Sequence, residues 1–271
     1  MTITSIDNIG LPLVTGFIRD ITERKQAEQE IRNLAFFDAL TNLPNRRLLQ
    51  DRLEQALISS SRSLQYGAVI FIDLDNFKAL NDTRGHALGD LLLVEIARRL
   101  SDCVRADDTV ARLGGDEFVL VLENISDDLT QAIAKAKQLA EKIQVVINQP
   151  YYLQEIEHHH TSSIGICLFQ GVEQTAEELL QRSDTAMYQA KSRGRNTFVF
   201  FDPQMQAALE KRSRIEAEMR KAITNNEFQI YYQPQVDAHA QVFGVELLIR
   251  WMQPEHGLVM PNDFIWLKKL A

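Results

Sequence analysis

The sequence predicts an α/β fold of the α+β type, in which helices pack against one central sheet. Apolar residues recur at helical spacing over 88–100 and 131–147, whereas the compact run of Val, Ile and Phe over 68–72 is typical of a buried strand. Helices and strands alternate through about 160 residues, which is typical of one mixed domain. The 271 residues are 45% hydrophobic and 24% charged, as in an ordinary globular protein.

The other elements follow from local patterns. Residues 19–33 are rich in charge and carry apolar residues at i, i+4 and i+7, which predicts an exposed amphipathic helix. This helix is either a solvated linker or a helix that pairs with its twin in a dimer. Residues 109–121 predict two strands folded about Gly114 and Gly115, because glycine adopts the positive φ angles of a tight turn. Further helices are predicted over 48–58, 176–192 and 210–223, and further strands over 151–157, 161–169, 197–201, 228–236 and 242–249.

Composition excludes several classes of partner. The 29 Lys and Arg against 37 Asp and Glu give a formal net charge of −8, which argues against a DNA or RNA binder, since such a protein needs a basic face. No apolar run approaches the roughly 18–20 residues of a membrane helix, and a signal-peptide pattern is lacking. Cys103 and Cys167 are far apart in the sequence and lack the spacing of metal ligands. We therefore expect both to be reduced and to pack as small apolar side chains. The sequence therefore predicts a cytoplasmic protein without a membrane segment.

Two acidic clusters are candidates for a metal site. Asp73 and Asp75 follow the predicted buried strand, and residues two apart on a strand project to one side. Asp116 and Glu117 follow the two hairpin glycines. Mg²⁺ takes one or two carboxylates together with substrate phosphates, so the two clusters could share a cation. The candidate ligands are Asp73, the carbonyl of Leu74, Asp116 and Glu117. Each cluster alone could instead be a solvated acidic loop.

Cations and polar groups that could bind a nucleotide lie elsewhere. Lys191 and Arg195 are four residues apart at the end of a predicted helix and could face one way, although the helix dipole alone also favours cations there. Asn81 and Asp90 offer an amide and a carboxylate, which together can select guanine over adenine. Asp90 could equally be a helix-start residue. The three histidines at 158–160 lack ligand spacing and are predicted to lie on a turn and strand surface.

Five segments of the chain resemble the GGDEF diguanylate cyclases. They are DALTNLPNRR at 38–47, DLDNFKALND at 73–82, GHALGD at 85–90, RLGGDEF at 112–118 and KSRGRN at 191–196, in the order and approximate spacing of that family. The resemblance covers about residues 34–202. It implies a nucleotidyl-cyclase, palm-like central sheet flanked by helices, preceded by a linker helix. It also implies the condensation of two GTP molecules into cyclic di-GMP with loss of two pyrophosphates.

The resemblance further implies roles for the matched residues. The implied ligands of Mg²⁺ or Mn²⁺ are Asp73, the Leu74 carbonyl, Asp116 and Glu117. The implied guanine contacts are Asn81 and Asp90, and the implied triphosphate contacts are Phe77, Lys78, Lys191 and Arg195. Asp116 and Glu117 would be catalytic, with Asp116 the candidate to help deprotonate the attacking 3′-hydroxyl; many relatives have Glu there. Because each domain has one guanine site and the product has two guanosines, the resemblance implies a homodimer.

A regulatory site is also implied. Arg105 and Asp108 resemble the RxxD inhibitory site that precedes the signature in many relatives. Arg105 could fork onto a phosphate or stack on guanine, and Asp108 could pair with the guanine edge. Such Arg–Asp turns are also common on protein surfaces. We therefore expect feedback binding of the cyclic di-GMP product at this turn.

Both ends of the chain resemble pieces of other domains. Residues 1–20 resemble the last strand of a PAS sensor domain, 21–37 a signalling helix, 38–203 the cyclase domain, and 204–271 a linker helix followed by a truncated start of an EAL domain. Most metal ligands of an EAL domain would lie further on, so hydrolysis of cyclic di-GMP is not expected. The predicted function is a diguanylate cyclase. The alternative is a non-catalytic signalling module that binds GTP or cyclic di-GMP.

Overall fold

The structure is a computed structural model that describes residues 2–6, 13–17, 20–153, 156–203, 215, 218–239, 241–254 and 257–261. The chain divides into two compact units, Met1–Phe201 and Asp202–Ala271, each of which is described by itself. Within this division, the four predicted domain segments stay predictions.

The described part of the first unit holds six helices and nine strands. The helices are α1 (Thr22–Phe36), α2 (Arg46–Ser63), α3 (Phe77–Arg84), α4 (His86–Ser101), α5 (Leu129–Asn148) and α6 (Ala176–Ser192). The strands are β1 (Thr2–Ile6), β2 (Leu13–Phe17), β3 (Tyr66–Leu74), β4 (Thr109–Gly114), β5 (Glu117–Ser126), β6 (Tyr151–Leu153), β7 (Ile156–His158), β8 (Ser162–Phe169) and β9 (Phe198–Phe200).

A five-stranded sheet in the order β4-β5-β3-β8-β9 forms the centre of this unit. Its middle strand β3 pairs antiparallel with both β5 and β8, and the short edge strand β9 runs parallel to β8. Helices pack on both faces of this sheet. The predicted α/β fold with a central sheet flanked by helices is therefore confirmed.

Strand β3 is apolar on both faces because it contributes to two separate cores. Ile70 and Ile72 pack into the core formed with α4 and α5, while Val69 and Phe71 face the core formed with α2 and α6. All four side chains are at most 5% exposed. A strand buried on both sides needs a continuous apolar run rather than alternation, which is the pattern that predicted it.

Helix α6 lies directly against β8 at Gly165. A Cβ atom built on Gly165 would overlap the carbonyl oxygen of Ser183 and the backbone nitrogen of Met187, both on α6. The helix starts at a capping box in which Thr175 and Glu178 each accept from the other's backbone N–H. The close approach of α6 to β8 at Gly165 positions the last turn of α6 relative to the end of β3, the strand that pairs with β8.

The predicted elements exist, and several details differ. The predicted helices over 19–33, 48–58, 88–100, 131–147 and 176–192 are present, with ends that differ by no more than five residues. Residues 151–157 are not one strand but belong to the antiparallel pair β6–β7. Helix α3 was not predicted, because its eight residues are mostly polar and too few to show a period.

The buried thiols and one histidine test further expectations. Cys103 and Cys167 are free and buried, as predicted, and burial raises the pKa of the Cys167 thiol to about 11. The prediction of a surface position is wrong for His160, which is buried and packs edge-on against the ring of Phe77. Burial lowers the pKa of the His160 imidazole.

The segment before the central sheet contains β1 and β2, which form a two-stranded antiparallel sheet, and helix α1. The assignment of residues 1–20 to a PAS remnant stays a prediction. On α1, Ile31 and Leu34 are 66% and 68% exposed, so the thin apolar stripe is present without a cover among the described residues. None of the helices in the described ranges is long and apolar enough to cross a membrane.

The second unit contains a three-stranded antiparallel sheet of β10 (Phe228–Val236), β11 (Val242–Gln253) and β12 (Gly257–Val259). The strands predicted over 228–236 and 242–249 are confirmed, and β11 is longer than predicted. The predicted helix over 210–223 falls mostly outside the described residues, although 218–224 are helical. Trp251 and Ala222 are the buried centre of this unit.

Candidate active site

The ends of β3 and β5 bring the two predicted acidic clusters together. Asp73 and Glu117 are directly paired across the two strands. One residue further along, the backbone N–H of Leu74 donates to the carbonyl oxygen of Asp116 at 3.3 Å. The neighbouring strands therefore place the acids of the two clusters side by side, as the metal interpretation required.

Arg112 fixes the turn that carries Asp116 and Glu117. Its guanidinium donates to the carbonyl oxygen of Gly115 at 3.1 and 2.8 Å and to the carboxylate of Asp38 at 2.9 Å. The φ angles of 142° at Gly114 and 53° at Gly115 confirm the predicted glycine turn.

The partner of Arg112 belongs to the turn at the start of the domain. Burial raises the pKa of Asp38, but hydrogen bonds from Thr41 and Arg112 outweigh it and hold that pKa below its usual value. Sequence analysis missed both Asp38 and Arg112 as site-building residues, although each stands inside a matched motif.

The acids of this site carry more negative charge than their surroundings neutralise. The pKa of Asp73 is raised to about 6, chiefly by burial and further by the charges of Asp116 and Glu117. The Nζ of Lys191, 2.7 Å from its Oδ2, acts in the opposite direction and offsets part of this rise. Burial also raises the pKa of Glu117, together with the charges of Asp184 and Asp116. Raised carboxyl pKa values of this kind indicate a place where a further cation is favourable.

The donor set fits a magnesium ion that binds together with its substrate. Among the described residues, no three His, Cys, Asp or Glu side chains form a ready metal cage. Mg²⁺ does not need one, because it uses one or two carboxylates and completes its shell with water and substrate phosphates. The residues that could hold it are Asp73, the Leu74 carbonyl, Asp116 and Glu117.

The start of α3 lies just beyond these acids and presents backbone donors. Phe77 and Lys78 occupy the first turn, where backbone N–H groups have no acceptor within the helix and suit a phosphate. The Phe77 side chain is 7% exposed in the core, so only its backbone is available to a ligand, whereas Lys78 is exposed. Asn76 enters the helix at φ 60°, which turns the chain sharply after the strand.

The two residues predicted to recognise guanine are neighbours. The Oδ1 atom of Asn81 is buried and has no hydrogen-bond partner among the described residues. A Cβ on Gly89 would overlap that atom, so Asn81 lies against α4 beside the exposed Asp90. The helix-start alternative for Asp90 is wrong, because α4 begins at His86.

The two cations predicted to bind phosphate, Lys191 and Arg195, stand on different kinds of backbone, the first in a helix and the second in a turn. Lys191 is in the last turn of α6, but α6 ends at Ser192 and Arg195 follows it at φ 65°. Their helical spacing is therefore not what aligns them. Arg195 Nε is 4.0 Å from Asp75 Oδ1. Asp75 itself is only 3% exposed, which overturns the alternative of a solvated acid.

The Arg105–Asp108 turn lies away from these acids and closes on itself. The Arg105 N–H donates to Asp108 Oδ2 at 3.0 Å, the Asp108 N–H donates to the Arg105 carbonyl at 3.1 Å, and Asp108 Oδ1 accepts from the Glu123 N–H at 3.4 Å. A cavity of about 390 Å³ opens beside the turn. Its other walls include Cys103, Leu122, Lys135, Leu139 and Lys142.

Comparisons with known proteins match both parts of the chain. The family described as "Diguanylate cyclase, GGDEF domain" matches residues 35–197, and the EAL domain matches residues 216–269. The GGDEF domain of PA1120 (TpbB or YfiN) from Pseudomonas aeruginosa superposes with a TM-score of 0.60 at 36% identity, covering 64% of this chain and 99% of that one.

Curated relatives are longer than this chain. It is 46% identical over 245 residues to the "Bifunctional diguanylate cyclase/cyclic di-GMP phosphodiesterase MucR" of Pseudomonas aeruginosa, covering 90% of this chain and 35% of that protein. It is 36% identical over 246 residues to the "Cyclic di-GMP phosphodiesterase PdeR" of Escherichia coli, covering 91% and 36%. The chain thus spans about a third of the length of these relatives.

Proposed function

The chain belongs to the GGDEF-domain diguanylate cyclase family, and from that premise we propose that its first unit condenses two GTP molecules into cyclic di-GMP. In each of two steps, the 3′-hydroxyl oxygen of one nucleotide forms a bond to the α-phosphorus of the other. The bond from that phosphorus to the pyrophosphate oxygen breaks, and the hydroxyl proton passes to a base. The observation that carries the proposal is the pairing of Asp73 with Glu117 opposite Lys191.

The acidic edge would supply the metal ligands and the base. Asp73, the Leu74 carbonyl, Asp116 and Glu117 would hold Mg²⁺ or Mn²⁺. When bound, this ion supplies Lewis-acid neutralisation of phosphate charge. Asp116 would help take up the proton of the 3′-hydroxyl, because its carboxylate stands at the exposed glycine turn next to the paired acids.

The substrate would be held at both its ends. Asn81 and Asp90 would recognise the guanine edge. The Asp90 carboxylate and the buried Asn81 Oδ1, which has no partner among the described residues, can accept from the N–H groups of guanine, and the Asn81 amide N–H groups can donate to its acceptors. The triphosphate would be held by the first backbone amides of α3, at Phe77 and Lys78, and by the cations Lys78, Lys191 and Arg195. Such positioning and charge neutralisation account for most of phosphoryl-transfer catalysis.

Catalysis would require two protomers. One guanine pair per chain provides for one nucleotide, whereas the product joins two, so two chains would face one another about a two-fold axis. The exposed Ile31 and Leu34 on α1 support the paired-helix alternative for this segment. Because GTP is a cytosolic metabolite, we expect the unit to work in the cytoplasm.

The Arg105–Asp108 turn would bind the product and inhibit the enzyme. Its exposed guanidinium, its Asp108 carboxylate and the adjacent cavity of about 390 Å³ offer a cation, an acceptor and an apolar wall to a guanine nucleotide. The same feature favours the second candidate function, a module that binds cyclic di-GMP without making it.

One experiment separates these functions. The purified protein is incubated with GTP and Mg²⁺, and products are resolved for the wild type, for Asp116→Asn, and for the matched surface control Asp127→Asn. Cyclic di-GMP formed by wild type and control but not by Asp116→Asn supports the cyclase. Binding of cyclic di-GMP without turnover of GTP supports the receptor. Conversion of added cyclic di-GMP to a linear dinucleotide contradicts both and indicates a phosphodiesterase.

A further inference from the structure

Asp75 is a buried acid to which the proposed function assigns no role. It follows β3 immediately, two residues after Asp73, yet its side chain is 1% exposed whereas the carboxylate of Asp73 meets Lys191 at the site edge. A buried carboxylate is costly unless donors satisfy it. Its partners therefore tell what it stabilises.

Those partners come from two other segments of the chain. The hydroxyl of Thr161 donates to Asp75 Oδ2 at 2.6 Å, and the hydroxyl of Ser163 donates to Oδ1 at 2.7 Å. From the loop after α6, the backbone N–H of Asn196 donates to Oδ2 at 3.1 Å. Asp75 thus joins the end of β3, the start of β8 and the loop that carries Arg195.

That loop has a backbone that needs such support. Gly194, Arg195 and Asn196 have φ angles of 111°, 65° and 46° in succession, and only glycine adopts this region without cost. Asn tolerates it, but Arg does so rarely. The Asn196 N–H donates to a buried carboxylate. Because little water reaches this carboxylate to compete for the hydrogen bond, the bond holds the strained turn in place.

The carboxylate of Asp75 also faces the side chain of Arg195, the residue before Asn196. Arg195 Nε lies 4.0 Å from Asp75 Oδ1, a charge contact rather than a hydrogen bond, and its side chain is 40% exposed, so the guanidinium faces Asp75 and is still accessible to a ligand. Two cations, one at the end of α6 and one in the loop after it, thereby meet two carboxylates at the end of β3: Lys191 pairs with Asp73, and Arg195 with Asp75.

We propose that Asp75 is a positioning residue that holds the strained turn 194–196 and thereby aims Arg195 at the nucleotide phosphates, and that it is not a metal ligand. The inference rests on the proposed function only for the identity of the ligand. If it holds, Asp75 acts on nucleotide affinity through Arg195, and removing it has no further effect once Arg195 is absent.

The test is a double-mutant cycle on nucleotide binding. Dissociation constants for a GTP analogue with a methylene bridge between its α- and β-phosphates are measured calorimetrically with Mg²⁺ for the wild type, Asp75→Ala, Arg195→Ala and the double variant. We expect each single variant to bind about tenfold more weakly, and the double variant to bind within about twofold of Arg195→Ala. Asp127→Asn, an exposed acid outside both sites, is the control.

A second readout follows the turn itself. Hydrogen exchange of the Asn196 amide in the ligand-free protein should accelerate about tenfold or more in Asp75→Ala and stay protected in Arg195→Ala. If Asp75→Ala fails to fold, Asp75→Asn decides, because it keeps one acceptor for the amide and removes the charge facing Arg195. We expect Asp75→Asn to keep the Asn196 amide protected from exchange and to bind the analogue about threefold more weakly than the wild type.

The outcomes separate this inference from the proposed function. Wild-type-like affinity in both Asp75 variants, or a double variant that weakens binding by the product of the two single effects, overturns the positioning role while leaving the cyclase intact. Unaltered affinity in Arg195→Ala likewise overturns the positioning role, because Arg195 then does not contact the phosphates. No binding of the analogue by the wild type contradicts the proposed function instead. In that case, the exchange of the Asn196 amide still decides whether Asp75 holds the turn.

Discussion

The acidic end of the central sheet and the Arg105–Asp108 turn are built in opposite ways. At the acidic end the ion pairs join distant parts of the chain, as between Lys191 and Asp73 or Arg112 and Asp38. The Arg105–Asp108 turn closes mainly through hydrogen bonds between residues three apart. Substitutions at the first region should therefore disturb the fold and the site together, whereas substitutions at the second should disturb only ligand binding.

The largest effect is expected at the paired acids. Asp73→Asn keeps the size of the side chain and removes the charge that would hold the metal, so the rate of cyclic di-GMP formation should fall by about 10³-fold or more. Product formation from GTP at saturating Mg²⁺ measures it. A variant that retains a tenth of the wild-type rate would contradict the role of Asp73 as a ligand.

Removal of Arg112 should affect stability and turnover together. Arg112→Ala leaves the carbonyl of Gly115 and the carboxylate of Asp38 without their donor, so the free energy of unfolding should fall by about 2–3 kcal/mol and turnover by about tenfold or more. Denaturant unfolding monitors the first effect. The control is Arg98→Ala, whose pairs with Glu95 and Asp102 are exposed and should contribute less than about 1 kcal/mol.

The pH dependence of stability should show that Lys191 compensates the burial of Asp73 only in part. Burial raises its pKa to about 6 from a usual value near 4, so the folded state binds this proton more tightly than the unfolded state. Without metal, the contribution of Asp73 to stability should therefore decrease as pH rises from about 4 to about 6. Above pH 6 Asp73→Asn should be more stable than the wild type by about 1–3 kcal/mol.

That comparison is made by unfolding both proteins in a chelator between pH 4 and pH 7.5. Parallel curves for wild type and variant would show that the Asp73 carboxyl is not perturbed. Added Mg²⁺ and nucleotide should reduce the difference, since a bound cation favours the ionised form.

The smallest effect on the fold is expected at the locally closed turn. Arg105→Ala should change the free energy of unfolding by less than about 0.5 kcal/mol, because its guanidinium is exposed. It should nevertheless abolish inhibition by cyclic di-GMP, measured as the rate of pyrophosphate release with added product. Inhibition that persists with unchanged potency would place the inhibitory site elsewhere.

The sequence predicts the fold well where burial alone decides the element. Strand β3 is apolar on both faces and was predicted within two residues at each end, and α6, which has a capping box and a clear apolar face, was predicted to the residue. Helix α3 and the β6–β7 hairpin were missed, because a short polar helix and a pair of three-residue strands depend on the surrounding packing rather than on periodicity.

The site was predictable as a set of residues but not as a network. Motif positions point to Asp73, Asp116 and Lys191, and the structure brings these together. Nothing local identifies Asp75 as the buried centre of a loop network, because its donors lie up to 121 residues away. The helical spacing of Lys191 and Arg195 was misleading, because α6 ends before Arg195 and the chain turns through positive φ angles there.

The contact between α6 and β8 at Gly165 has a consequence for the proposed dimer. The backbone of α6 lies where a side chain of residue 165 would stand, so α6 and β8 are in direct backbone contact. Lys191 on α6 and Asp73 on β3, the strand beside β8, consequently belong to one closely packed unit. In the proposed two-fold dimer, the distance between two such units can change while the packing inside each unit stays the same.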